Sequence, residues 1–279
     1  MKLTVLIDNN TLIDRYFIGE PGVSYLIQDN NTQILFDVGY SNAFIINAQK
    51  LNLDLLNSDF IVLSHGHLDH TWGLGPLIKL YIEAGIESRP FKKPTLIGHP
   101  DVFKTKSIDS INEIGCMIPE SKLRQHFEMK LLREPFWITD KLVFLGEIER
   151  LNDFENKEPC GKIHANDKIM DDFLQDDTAL AYNGDQGLII ITGCSHSGIC
   201  NIIEYARKVC NEDRVIDVIG GFHLMKPSQK QLKGTIDYFQ KLKPEELHAC
   251  HCVDLDSKIA LSKVANLKEV GSGLLLDFN

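Results

Sequence analysis

The chain has 279 residues, of which 43% are hydrophobic and 24% charged, as in an ordinary globular protein. This length is enough for one large α/β domain or two small ones with a sizeable core. The 29 basic and 39 acidic side chains give a formal charge of −10. Because proteins that bind nucleic acid usually present a basic face, we expect no nucleic-acid partner.

The amino-terminal residues and the longest apolar runs indicate where in the cell the protein is expected. Residues 1–8 read as a strand and lack the apolar core and cleavage site of a signal peptide. The apolar run at 187–191 is far shorter than the roughly 18 to 20 residues that a membrane helix needs. We therefore expect a cytoplasmic protein with no membrane partner, in which the seven cysteines are reduced thiols.

Apolar periodicity predicts an α/β fold. In chain order, strands are expected at residues 3–7, 23–27, 33–37, 60–63, 95–98, 178–182, 188–192, 215–219, 247–252 and 273–278. Helical spacing predicts helices at 41–51, 75–84, 199–209 and 229–242. Strands come early in each half and helices follow, which indicates two sheets stacked face to face with helices outside. We expect a single domain over 1–279, with an irregular insertion or capping region at about 102–175.

The most informative motif lies directly after the strand predicted at 60–63. Residues 65–70 contain three histidines and one aspartate: His65, His67, Asp69 and His70. Imidazole nitrogen and carboxylate oxygen suit zinc, iron, manganese or nickel. In an extended loop His65 and His67 point to the same side, and Asp69 and His70 follow closely enough to serve a second ion. The motif predicts a metal site with two divalent ions, zinc being the first expectation.

Other predicted strands also end in polar clusters. Asp37 ends the third strand, Cys194 and His196 follow the strand at 188–192, His223 follows the strand at 215–219, and His251 lies at the end of the strand at 247–252. Each cluster comes after an apolar strand, so each is placed to reach the same rim of a sheet sandwich. Functional residues concentrate in such loops.

The chain at this point resembles the metallo-β-lactamase-fold superfamily. Its signature His-x-His-x-Asp-His is matched in full by His65, His67, Asp69 and His70, and Leu35–Gly39 and the later strand-end histidines fall in the expected order. Residues 63–71, 192–198 and 220–224 resemble the branch named for dihydropterin-ribofuranosyl-aminobenzene-phosphate synthase, linked to methanopterin-type cofactors. The resemblance implies an αββα sandwich of two mixed β-sheets flanked by helices.

The resemblance also implies a ligand set. His65 and His67 would hold the first ion and Asp69 and His70 the second, with His196 as the added histidine and His251 as the last. The family's bridging aspartate has no direct match, because Thr192-Gly193 is followed by Cys194. A thiolate can bridge two ions, which makes Cys194 one candidate. A carboxylate from Asp177 is the other.

The expected chemistry is hydrolytic, with a metal-activated water as nucleophile. Asp69 would orient this nucleophile, and His223 would donate a proton to the leaving group or hold the developing oxyanion. Asp37 is expected to fix a ligand imidazole or the metal loop from behind, and Asp177 has the same supporting role if it is not the bridge. Trp72, Phe222 and His223 are the candidates for lining a substrate pocket. On a regular strand Cys250 and Cys252 both face away from His251, so both are expected in the core.

Three functions remain open at this level. The favoured one is a hydrolase of a small phosphorylated or carboxylated molecule, with a pterin-like substrate suggested by the branch. The second is an iron-dependent redox enzyme on the same scaffold. The third is a metal-containing sensor that binds a small molecule without turnover. The oligomeric state is left open, with a homodimer as one option.

Overall fold

The computed structural model describes residues 1–165 and 168–278. Each apolar run that predicted a strand contains one. The strands are β1 (Lys2–Ile7), β2 (Ser24–Asp29), β3 (Thr32–Phe36), β4 (Phe60–Val62), β5 (Thr95–Gly98), β6 (Lys106–Ser107), β7 (Glu128–Leu131), β8 (Phe136–Trp137), β9 (Leu142–Phe144), β10 (Lys162–Ala165), β11 (Lys168–Asp171), β12 (Ala179–Asn183), β13 (Leu188–Thr192), β14 (Val215–Gly221), β15 (Glu246–Cys250) and β16 (Leu275–Asp277).

The helices connect and cover these strands. They are α1 (Ala43–Lys50), α2 (Leu68–Thr71), α3 (Leu74–Ile86), α4 (Glu120–His126), α5 (Ile199–Cys210), α6 (Gln229–Leu242) and α7 (Leu255–Leu261), with one 3-10 turn at Leu55–Asn57. Buried residues in α5 recur at helical spacing, which gives the helix one apolar face. In the described part of the chain, each helix is too short or too polar to cross a lipid bilayer.

Two mixed sheets form the body of the fold. The first has seven strands in the order β16-β1-β2-β3-β4-β5-β7, and it is parallel from β3 to β7. The second has six strands in the order β15-β14-β13-β12-β9-β8, and it is parallel from β13 to β15. Parallel strands require long crossover connections, which α1, α3, α5 and α6 supply.

Three apolar layers hold the sheets and helices together. The layer between the sheets includes Tyr25, Phe36 and Ile191. A second layer packs α1 and α3 on the outer face of the first sheet, and a third packs α5, α6 and α7 on the outer face of the second. The order helix, sheet, sheet, helix confirms the predicted αββα sandwich.

The irregular region at 102–175 is only partly separate from these sheets. Strand β7 extends the first sheet beside β5, while β8 and β9 extend the second beside β12. Strands β6, β10 and β11 form a small sheet of three strands by themselves. The region therefore supplies edges to both main sheets as well as a local elaboration.

The parallel strands position the functional residues. Phe36 pairs with Val62 at the ends of β3 and β4, and Gly221 pairs with Cys250 at the ends of β14 and β15. Carboxyl ends of parallel strands meet at one edge of a sheet, which is where sites form in such folds. The polar segments after these four strands and after β13 thus gather at one rim of the sandwich.

Candidate metal centre

The metal loop begins where β4 ends. His65 and His67 lie in the extended segment after the strand, and His67 is the residue preceding α2, with φ −67° and ψ 155°. Asp69 and His70 lie within the single turn of α2. The extended segment aims two imidazoles the same way, and the helical turn then brings the aspartate and the third histidine beside them.

A first group of donors surrounds the space between His65, His67 and His196. The rings of His65 and His67 have centroids 4.7 Å apart, and His196 lies 4.8 Å from each of them. The Nε2 atoms of all three are buried and have no hydrogen-bond partner among the described residues. Buried polar atoms are nearly always satisfied, so three orphaned nitrogens on imidazole rings packed against one another fit a metal ion.

A second group lies beside the first. Cys194 Sγ is 3.2 Å from His70 Nε2 and 3.2 Å from His251 Nε2. Asp69 Oδ2 is 3.3 Å from His251 Nε2 and 3.8 Å from His70 Nε2. Ligands about 2.0–2.3 Å from a tetrahedral zinc ion lie about 3.3–3.8 Å from each other. The four donors have the chemistry and the spacing of such a cage.

Cys194 belongs to both groups. Its Sγ lies within 4.8 Å of the donor atoms of His65 and His196, and within the same distance of those of His70 and His251. In Asp177, the other candidate for the bridge, Oδ2 accepts hydrogen bonds from Ser197 N (2.8 Å) and Ser197 Oγ (2.6 Å), while the buried Oδ1 has no partner among the described residues. The thiol of Cys194 therefore lies between the two groups, and Oδ2 of Asp177 supports the loop that carries His196.

Asp37 fixes the ring of His70. Its Oδ2 is 2.6 Å from His70 Nδ1 and also accepts a hydrogen bond of 2.6 Å from Ser64 Oγ, while Oδ1 accepts one of 2.7 Å from Ser64 N. Nδ1 therefore carries the proton, and Nε2 is free to face Cys194 and Asp69. The space for this network depends on Gly193, because a Cβ there would lie 2.1 Å from Ser64 Oγ.

Two residues of the amino-terminal segment support His251, and sequence reasoning missed them. Asn9 Oδ1 is 2.8 Å from His251 Nδ1, and Asp8 Oδ1 accepts a hydrogen bond of 2.9 Å from the backbone N–H of His251. These contacts orient the ring so that Nε2 faces the second group. An Asp-Asn pair after a strand is too common to indicate such a role in the sequence.

The strand ends that carry the site share an unusual backbone conformation. Asp37, Ser195, His223 and His251 all have positive φ, between 48° and 62°. This left-handed region is uncommon for residues other than glycine, and it clusters at functional sites. Each break turns the chain out of its strand and redirects the next side chains toward the rim.

The break at His251 corrects one expectation. Cys250 lies in the core between the sheets, where its Sγ is 3.3 Å from Tyr25 Oη. Cys252 was expected to share that face, but its Sγ accepts a hydrogen bond of 3.2 Å from His223 N and lies 3.4 Å from the carbonyl oxygen of Cys194. Strand alternation ends at Cys250, so Cys252 lies directly behind the two donor groups.

Burial and neighbouring charges set the protonation of the donors. Burial lowers the pKa of His67 to about 3, and it also holds the pKa values of His65 and His196 well below the usual range. These imidazoles are neutral at neutral pH, which is the form that binds metal. The carboxylates of Asp69 and Asp37 outweigh the effect of burial on His70 and raise its pKa to about 9.

The acidic donors complete this pattern. His70 and His251 outweigh burial at Asp69 and keep the pKa of its carboxyl below the ordinary value. Burial raises the pKa of the Cys194 thiol well above its usual value. Metal binding deprotonates a coordinating thiol, so an ion at the second group would displace protons from both Cys194 and His70.

Of the three residues predicted to line a substrate pocket, only His223 lies beside the metal donors and borders the adjoining cavity. His223 lies against His196, with ring centroids 4.2 Å apart, and its Nδ1 is buried with no hydrogen-bond partner among the described residues. Phe222 is 1% exposed and stacks on Phe239 in the layer under α6, so its proposed role in lining a pocket is corrected: it is a core residue. Trp72 stacks on Tyr40 with centroids 5.1 Å apart.

A cavity of about 570 Å³ opens beside the first group. His196 and His223 form one wall, and Phe154 and Met225 supply apolar surface. Lys157 and Lys226 also border it, and Trp72 is not among its described lining residues. The volume is in the range of small-molecule sites, and the wall next to the metal donors is the place where a substrate would meet them.

Comparison with known proteins agrees with this geometry. The sequence profile of the metallo-beta-lactamase superfamily matches residues 18–209, which is more than half of the chain. The chain belongs to this superfamily. Over its described parts, the structure superimposes on Tm1679, titled a metal-dependent hydrolase of the beta-lactamase superfamily, with a TM-score of 0.83 and 27% identity, covering 100% of this chain and 99% of the other.

Two relatives from Methanocaldococcus jannaschii extend over nearly the full length of this superfamily member. One is an uncharacterised protein, 33% identical over 271 residues, covering 95% of each chain. The other is 7,8-dihydropterin-6-methyl-4-(beta-D-ribofuranosyl)-aminobenzene-5'-phosphate synthase, 29% identical over 266 residues, covering 90% of this chain and 87% of the relative. The second relative bears out the resemblance to the branch named for that synthase.

Proposed function

We propose that this chain is a metal-dependent hydrolase that directs a metal-activated water at a small phosphorylated or carboxylated, pterin-like substrate. The observation that carries the proposal is three packed imidazole rings whose buried Nε2 atoms have no hydrogen-bond partner in the described part of the chain, next to a second donor group that shares Cys194 with His65 and His196. Bound there, two divalent ions, zinc in the first instance, would lower the pKa of a water and polarise the oxygen under attack.

The protein's own residues divide the remaining work. His65, His67 and His196 would hold one ion, and Asp69, His70 and His251 would hold the other, with Cys194 between them. The Asp69 side chain is 24% exposed, so its carboxylate is accessible to accept a hydrogen bond from the attacking water. His223 borders the cavity, its Nδ1 has no hydrogen-bond partner among the described residues, and its protonated ring would donate a proton to the leaving group.

The cavity supports an anionic substrate with an apolar part. Lys226 and Lys157, whose Nζ donates to Asn152 O, offer ammonium groups to a phosphate or carboxylate beside the acidic Asp153 and Glu158. Phe154 and Met225 offer surface to a ring system. The named synthase among the relatives has a product with a dihydropterin and a 5'-phosphate. Both considerations favour a phosphorylated, pterin-like molecule as the substrate class.

The test compares His196→Ala with His126→Ala. His126 ends α4, outside both donor groups, and so controls for the loss of an imidazole. We expect wild type and His126→Ala to contain metal by elemental analysis and to hydrolyse a p-nitrophenyl phosphodiester or a carboxylic ester. His196→Ala should lose metal and fall to the background rate. A metal-free His196→Ala protein that turns over like wild type would refute the proposal.

A synthase reaction is the second candidate, and the 29% identity to the named synthase over 90% of this chain favours it. In that case the same cavity would hold the dihydropterin and the phosphorylated ribosyl-aminobenzene together. Product analysis by mass spectrometry separates the two candidates. Joining of the two substrates supports the synthase, and release of a hydrolysed fragment from a single substrate supports the hydrolase.

A further inference from the structure

A buried ion network lies directly behind the metal loop. Lys106 is fully buried, and its Nζ lies 2.8 Å from Asp172 Oδ2 and 2.9 Å from Asp176 Oδ1. Both aspartates are buried as well. An ammonium group is rarely kept in a protein interior, and it is tolerated there only when it is paired and hydrogen-bonded.

One member of the network is bonded to the metal loop itself. Asp176 Oδ2 accepts a hydrogen bond of 2.8 Å from Gly66 N, the backbone donor between His65 and His67. Asp172 Oδ1 instead accepts a hydrogen bond of 2.8 Å from Leu174 N. The two aspartates therefore share Lys106 but differ in what else they hold.

The lysine stem also packs on the loop. A Cβ at Gly66 would lie 3.0 Å from Lys106 Cε and 2.3 Å from the carbonyl oxygen of Val102. The loop is thus held from one side by the chain around Val102 and Lys106 and by the Asp176 carboxylate. Only glycine leaves room for this close approach.

Stability alone is a weak reason for such a network. Buried ion pairs are often no more stabilising than apolar residues of the same volume, because the charges lose their hydration. Contacts behind metal ligands, by contrast, orient the ligands and change metal affinity. The bond to Gly66 N acts on the peptide that joins two of the ligands.

We propose that Lys106 and Asp176 are positioning residues of the metal centre, which hold the His65–Gly66–His67 loop in the geometry that binds the first ion. The proposal rests on the metal centre described under the proposed function. It assigns a role to the region at 102–175 and to the segment before β12, which carry these two residues. Lys106 acts through Asp176, since its Nζ fixes the carboxylate that accepts from Gly66 N.

The experiment compares Asp176→Ala with Asp172→Ala in the full chain. Each variant removes one carboxylate from Lys106, and only the first removes the acceptor of Gly66 N. Urea unfolding measures the stability that each variant loses. Metal binding is followed by zinc competition with a chromophoric chelator and by the visible absorption spectrum of the cobalt-substituted protein, which reports ligand geometry.

We expect Asp176→Ala to bind the first zinc ion about 10-fold to 100-fold more weakly and to shift the cobalt spectrum. Asp172→Ala should keep the wild-type spectrum and affinity, even where its loss of stability is similar. If Asp176→Ala does not fold, Asp176→Asn and Asp172→Asn are compared in the same way. The Asp176→Asn variant retains an oxygen for Gly66 N but no charge for Lys106, so we expect a smaller shift in the same direction.

Two results would overturn this inference. One is a wild-type cobalt spectrum and zinc affinity in the Asp176 variant, and the other is an equal change in both variants. A wild-type protein that binds metal but hydrolyses nothing would refute the hydrolase while leaving this comparison intact. A wild-type protein that binds no metal would refute both.

Discussion

The substitution Asp37→Asn tests whether metal binding depends on which ring nitrogen of His70 carries the proton. Asp37 is fully buried and accepts three hydrogen bonds, of 2.7 Å from Ser64 N, 2.6 Å from Ser64 Oγ and 2.6 Å from His70 Nδ1. Asparagine keeps the shape but has one oxygen. If that oxygen stays on Ser64 N, an amide N–H₂ faces both Ser64 Oγ and His70 Nδ1.

The magnitude follows from the bonds that are lost. Hydrogen bonds to a charged group contribute about 1.5–3 kcal/mol each, so loss of the two at Oδ2 lowers the free energy of unfolding by about 3–6 kcal/mol at most. His70 Nδ1 must then act as acceptor, and the proton moves to Nε2, the atom 3.2 Å from Cys194 Sγ. A protonated Nε2 cannot bind metal, so affinity at the second group should fall about 10-fold to 100-fold.

The assay is the zinc content after dialysis against a weak chelator, measured together with urea unfolding. Asp29→Asn is the matched control: Asp29 is also buried and accepts a hydrogen bond of 2.6 Å from Thr139 Oγ1, but it lies outside both donor groups. We expect the control to lose stability and keep the second ion, and Asp37→Asn to lose both. Wild-type zinc content and affinity in Asp37→Asn would refute the reasoning.

Three further predictions concern other residues. Cys194→Ser should lose the second ion, because a hydroxyl does not replace a bridging thiolate; elemental analysis showing unchanged metal content would contradict the shared position. Burial raises the pKa of Asp177 to about 6, above its value of 3.8 in the unfolded chain, so its ionisation should destabilise the folded protein by up to about 3 kcal/mol as pH rises from 4 to above 6. Asp177→Asn should remove this pH dependence from urea titrations, and an unaltered profile would count against it. Phe222→Ala should lower the free energy of unfolding by about 3–5 kcal/mol without changing KM, as expected of a core ring, and a raised KM would return Phe222 to the substrate pocket.

The local sequence pattern was sufficient for the fold and for half of the site. Apolar runs and helical spacing predict the strands and helices because burial of one or both faces imposes those periods on the chain. The segment from His65 to His70 predicts a metal site because all its donors lie within one loop and one helical turn, close together in the sequence. Asp37, His196 and His251 were predicted from their positions at the ends of strands, and in the structure they lie beside this segment.

Only the tertiary structure decided how these pieces meet. The prediction for Cys252 assumed that side chains alternate regularly along the strand. Residues with positive φ at the strand ends, His251 among them, interrupt that alternation, so Cys252 lies behind the donors. Asn9 reaches His251 across 242 positions of sequence. The network of Lys106 likewise joins residues whose separate sequence contexts show no metal chemistry. Periodicity carries information about neighbours along one element, whereas contacts between distant strand ends depend on sheet order and backbone breaks that no local pattern specifies.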